Sequence, residues 1–218
     1  MDSLLSDAPS TERLPANPLH TEPAPNPQQP VRTLEIVGCD RDGIDPRTAR
    51  VIASALDELH AKYPIPVRGI EIGELGPGTL GVVQPSGPGP RAEGGSGFWL
   101  VLDETLVRQG SAEEPRWFRR KFERAVYTAV VQEYARALDR AGNFRAHDKA
   151  WQAALTDSLH GGNGGYNALD PAQALVDGFT EVILRGKRAG NTAKLLHDAL
   201  AEAASKNVVE HQDSQPAS

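Results

Sequence analysis

The spacing of apolar positions along the chain changes period once. Thr33-Leu34-Glu35-Ile36-Val37 and Val67-Arg68-Gly69-Ile70-Glu71-Ile72 alternate, the period of a strand, and Gly97-Phe98-Trp99-Leu100-Val101-Leu102 predicts a third, more fully apolar strand. Between the first two, Val51, Ile52, Ala55, Leu56 and Leu59 mark the buried stripe of a helix. Asp45 caps that helix, Pro46 takes its first position and Pro64 closes it. From Gly73 to Gly97 the chain is crowded with Gly and Pro, and reads as irregular loops around a short extended piece at Leu80 to Val83.

After Glu104 the period is helical. Pro115 starts a long helix that runs to about Arg140 and stops at Gly142, and Ala146 to Leu159 forms a second. The run Gly161-Gly162-Asn163-Gly164-Gly165 breaks the chain. Asp170-Pro171 then opens a helix to Leu184, ended by Gly186, and Asn191 caps a last one carrying Leu195, Leu196 and Leu200. Strands followed by helices predict an α+β fold, with a small mixed sheet and a helical C-terminal half.

The flanks lack this pattern. Residues 1–31 hold seven of the seventeen prolines and few large apolar side chains after Leu19, so a disordered leader is expected there. Its stretch Pro23 to Pro30 could serve a partner as a polyproline ligand, although an extended linker is the plainer reading. Residues 205–218 are polar and are expected to form a disordered tail, which leaves 32–204 as the folded domain.

Composition narrows the classes of function. A chain of 218 residues with net charge −6 suits one well-buried domain, or at most two small ones. No run approaches the roughly 20 apolar residues of a membrane-spanning helix, and the start lacks the basic and apolar regions of a Sec signal peptide. No membrane partner is therefore expected, and the location is expected to be cytoplasmic or virion-associated. The single cysteine, Cys39, excludes an intramolecular disulfide and any cysteine-rich zinc site. His20 and His211 fall in the flanks, while His60, His147, His160 and His197 are scattered without i, i+4 pairing. A site built from His147, His160 and Asp157 is the weaker reading beside ordinary solvated side chains. Gly94-Gly95-Ser96-Gly97 lacks the strand and helix that would make it a phosphate loop. The basic, aromatic run Arg116 to Arg124 fits a helix with Phe118 and Phe122 inward and charges outward, so nucleic acid is not the expected partner.

One position breaks the pattern. Phe118, Phe122, Val126, Ala129, Val130 and Ala137 share a helical face, and Glu133, seven residues after Val126, falls within it. Burying a carboxylate costs several kcal/mol unless it is paired, so Glu133 implies a nearby cation, a raised pKa or a functional cavity. An ordinary salt bridge to the core would satisfy the same requirement.

The residues around Glu133 resemble a known motif. Gln132-Glu133-Tyr134-Ala135-Arg136, followed by Ala137-Leu138-Asp139 and Gly142, is similar to the active-site helix of zincin metallopeptidases, H-E-x-x-H with A-x-D and a glycine beyond. More narrowly, it resembles the catalytic domain of anthrax lethal factor and its Pro-Pro endopeptidase relatives. Downstream, Tyr166 precedes Gln173 by the seven residues that separate that family's tyrosine from its glutamate ligand, and Asp177 lies one turn on. The likeness covers roughly residues 45–204.

In the family, two histidines and a glutamate hold zinc, the motif glutamate is general base for the zinc-bound water, and the tyrosine donates to the oxyanion. The resemblance assigns those acting roles to Glu133 and Tyr166, and places Asp177 behind the ligands. The ligand positions are Gln132, Arg136 and Gln173. Amides are poor zinc ligands and a guanidinium is none, so no zinc and no other cofactor is expected. Arg136 is expected to pair with Glu133 in the metal's stead, aided by the amide oxygens of Gln132 and Gln173. The resemblance thus implies a catalytically inactive zincin-like domain that binds a peptide or protein segment along the strand at 97–102, by strand addition. Two alternatives stay open: an active hydrolase with an atypical site, and a structural or scaffold protein of a phage or effector.

Overall fold

Two extended segments and the helix between them make a parallel crossover at the start of the domain. β1 (Glu35–Val37) leads into α1 (Pro46–Lys62) and then β2 (Val67–Gly73), and β2 lies parallel to β1 with Ile36 opposite Ile70. Asp45 accepts a 2.8 Å hydrogen bond from the Arg47 amide, and Pro46 follows at the first turn, so the local sequence fixes where α1 begins. β3 (Gly81–Pro85) and β4 (Phe98–Asp103) complete the sheet. A computed structural model describes residues 34–38, 44–76, 78–85, 97–108, 115–159 and 165–213, with side chains as far as 207. The expected leader, residues 1–31, lies outside them.

The strand order is β1-β2-β4-β3. β4 runs parallel to β2 and antiparallel to β3, with Ile70 opposite Leu100 and Val83 opposite the same Leu100 on the other side. Both edges of β4 are therefore taken. This corrects the expectation of a peptide along 97–102: that strand is internal, and the edge strands of the sheet are β1 and β3, the latter presented by the sequence only as a short extended piece among loops.

A short helix α2 (Glu104–Arg108) follows β4, and four longer ones fill the second half: α3 (Arg116–Ala141), α4 (His147–Leu159), α5 (Pro171–Arg185) and α6 (Asn191–Asp213). The fold is α+β, a small mixed sheet followed by helices. The last helix continues to Asp213, well beyond the expected start of a disordered tail at 205; residues 214–218 lie outside the described residues. Of its leucines, Leu196 and Leu200 are buried while Leu195 is exposed.

α3 is the central element. It packs on α1, α5 and α6 as well as on β3 and β4, so its second half is buried nearly all round. Val131, Tyr134, Ala135 and Leu138 are covered in addition to the stripe that periodicity marks. The buried Tyr134 hydroxyl donates to the Tyr63 carbonyl at 2.6 Å, tying α3 to the end of α1. α5 and α6 approach closely at Gly178, where a Cβ would lie 2.6 Å from that of Leu196. At the end of α3, Gly142 has φ −76°, and the left-handed conformations fall on Asn143 and Phe144 instead. Gly142 is small for a different reason: a side chain would press on Ala203 of α6.

Candidate functional site

Glu133 sits in the middle of α3, beneath the sheet. It is 2% exposed, so its carboxylate is out of water. One turn on, the Arg136 guanidinium donates to Glu133 Oε1, whereas Oε2 has no hydrogen-bond partner among the described residues. Burial pushes the Glu133 pKa above the usual carboxylate range, against the opposing pull of Arg136 and, more weakly, Arg140. Gly81 of β3 makes the arrangement sterically possible. Any Cβ there would overlap the Glu133 carboxylate, so the missing side chain is the space that the acid fills.

Arg140 lies two turns after Glu133 and donates from Nη1 to the carbonyl of Val83. The position of that carbonyl follows from the pairing. Leu80 C=O accepts from Asp103 N–H at 3.0 Å, so Leu80, Val82 and Gln84 turn their backbone groups toward β4. Gly81 and Val83 turn theirs outward. Arg140 therefore binds the outer edge of β3, the strand whose first residue covers Glu133.

The other sequence-derived residues form a separate group along α5. Asp170 caps that helix, accepting from Gln173 N–H at 3.0 Å, and the Gln173 side-chain amide donates to Asp177 at 2.8 Å. The Tyr166 hydroxyl donates to Glu181 Oε2 at 2.6 Å. Burial and the neighbouring carboxylates Glu181, Asp177 and Asp157 all push the Tyr166 pKa up. Glu181 moves the other way, held below its ordinary value chiefly by hydrogen bonds from Tyr166 and the Gly190 N–H.

Among the described residues no hydrogen bond or ion pair joins this group to Glu133. Arg136 is engaged by Glu133, not by the amides of Gln132 or Gln173, which corrects the expected support from those two side chains. Gln132 is half-buried beside Glu133 and makes no side-chain hydrogen bond within the described residues. Tyr166 faces carboxylates, which would repel the oxyanion it is expected to steady.

The donor set does not fit a divalent cation. Arg136, at the second of the three expected ligand positions, is a guanidinium paired with Glu133, the first and third positions are amides, and among the described residues no three His, Cys, Asp or Glu side chains converge. Among the described residues His147 joins no metal cluster, and its Nε2 pairs with the buried Asp139 at 2.8 Å; His160 lies outside the described residues. A groove of about 770 Å³ between α4 and α6, lined by Thr156, Asp157, Thr192 and Leu195 among others, shares no residue with Glu133 or Tyr166. Within it the Asp157 carboxylate accepts from the Thr192 hydroxyl at 2.9 Å.

Sequence reasoning missed Gly81, Arg140 and Glu181. Arg140 carried a signal, its spacing of seven from Glu133 along one helical face, and Glu181 stands four residues after Asp177 in the same row. Gly81 carried none, because its role depends on a contact with α3. No helix among the described residues is long and apolar enough to cross a membrane. Set against known proteins, the chain matches no family model, and no curated protein or solved structure is similar enough to count as a match.

Proposed function

We propose that this chain is a zincin-like domain without peptidase activity, which serves as a peptide-binding module. The bound segment adds to the outer edge of β3. The observation that carries this reading is the Arg136 guanidinium on the buried Glu133 carboxylate, at a position where the resembled motif has a metal ligand. A general base must reach a water and the reacting proton, and a carboxylate 2% exposed, covered by β3 and paired with arginine, reaches neither. What the resembled family uses as an active centre becomes a plug between helix and sheet. The edge above that plug keeps outward-facing backbone groups, which are the basis of strand addition.

A second reading has its own support. The covered state of Glu133 equally suits a scaffold whose pocket is filled. The two are separated by titrating the full chain with extended peptides and following backbone amides, with zinc uptake measured on protein purified without chelator or His tag. Peptide binding expects shifts at Gly81 to Gln84, no cleavage and no stoichiometric zinc. No shift with any peptide favours the scaffold. One tightly held zinc, with cleavage lost in Glu133→Gln, overturns both in favour of an active hydrolase.

A further inference from the structure

The edge of β3 carries charge as well as hydrogen-bonding groups. Gly81 and Val83 turn N–H and C=O outward, and among the described residues only the Val83 carbonyl has a partner, the guanidinium of Arg140. Arg136 and Arg140 project from the same stretch of α3, and the Glu133 carboxylate feels both. Arg136 is matched by Glu133. Arg140 is not matched in the same way: it is exposed, its hydrogen bond goes to a neutral carbonyl, and no carboxylate lies within ion-pair distance of it among the described residues. Asp139, the neighbouring acid that also feels Arg140, is buried; its Oδ2 pairs with His147, and its Oδ1 has no hydrogen-bond partner among the described residues. Beside the start of β3, the Asp103 carboxylate at the end of β4 accepts from the Leu75 and Thr105 N–H groups. Among the described residues the outer edge of β3 therefore presents an exposed guanidinium that no carboxylate contacts directly.

We infer that the strand added to β3 is acidic: an extended peptide with an Asp or Glu side chain whose carboxylate is taken by Arg140, with Arg136 contributing its field. This rests on the reading of β3 as a peptide-binding edge, and names the chemistry of the partner. A guanidinium has five N–H donors, so Arg140 can exchange the Val83 carbonyl for a two-pronged contact with a carboxylate. The Val83 carbonyl then accepts from the peptide backbone. A lysine at the same place in the peptide meets like charge instead.

The test uses the full chain and three peptides blocked at both ends, Thr-Val-Glu-Val-Thr and its versions with central Gln or Lys, read by fluorescence anisotropy at low and high salt. The Glu peptide is expected to bind roughly tenfold tighter than the Gln peptide, and the Lys peptide weakest, with the preference shrinking as salt rises. Arg140→Gln abolishes the preference and leaves a weaker, charge-blind binding, while Arg140→Lys keeps part of it; a thermal melt of each variant separates lost recognition from lost fold. Equal binding of all three peptides overturns the acidic partner and leaves the peptide-binding edge standing. Absence of binding by all three overturns both. Methylation of the peptide's backbone nitrogens removes binding if the contact is strand addition, and binding that survives it overturns the proposal.

Discussion

Glu133 and Glu181 are the same side chain in opposite circumstances. The first is buried, has one oxygen without a partner and is pushed toward its neutral form; the second is more exposed, receives bonds from Tyr166, Gly190 and Arg185 and is held in its charged form. Both have an arginine close by on their own helix. The arginine therefore does not decide the outcome. The number of hydrogen bonds donated to the carboxylate and the water left around it do, and at Glu133 the loss of solvent outweighs a short ion pair.

The comparison is broken most severely from the sheet. Gly81→Val adds a side chain that strand backbone accepts but for which the Glu133 carboxylate leaves no room, and a loss of about 3 kcal/mol is expected in chemical denaturation. The same change in a Glu133→Ala background should cost much less, so the two effects will not add. Next comes Arg136→Ala. It leaves a buried carboxylate unpaired, and because the Arg136 side chain is 37% exposed the expected loss is about 2 kcal/mol at neutral pH, less than for a fully buried pair. Unchanged stability would show that the ion pair does not support Glu133.

Acid titration sharpens the contrast. Glu133 is raised above its ordinary 4.5, so the folded state holds the extra proton: its contribution is fully present below 4.5 and is lost as pH rises through the folded value. Glu181 is lowered, so its contribution is present above 4.5 and is lost as pH falls through the folded value. Glu133→Gln should flatten the stability profile on the alkaline side of 4.5 with little loss at pH 7, and Glu181→Gln on the acid side. The smallest effect is Tyr166→Phe, about 1 kcal/mol in thermal or denaturant unfolding, with the Glu181 pKa rising toward its ordinary value in NMR titration.

Much of the fold was legible because its signals are local. Asp45-Pro46 and Asp170-Pro171 open helices by supplying a cap and a preset φ within two residues, and Gly186 closes α5 with φ +55°. β3 was legible only as an extended fragment, since five residues among glycines and prolines are held by pairing with β4, whose register no local signal sets. The burial of Glu133 and its reach to Arg136 follow from helical spacing. Arg140 binding Val83 across 57 residues does not, nor does the turning of Tyr166 toward Glu181 rather than toward α3. In each case the missing step is tertiary: periodicity assigns a face, and the neighbour that meets that face comes from elsewhere in the sequence.

The short outer strand has a consequence for how the protein behaves when concentrated. A naked sheet edge is a template on which another copy of the same chain can build, the first step toward ordered aggregates. β3 resists this by ending at Pro85, which offers no N–H, and by having an arginine laid over its one internal outward carbonyl. Arg140 therefore guards this edge against self-association.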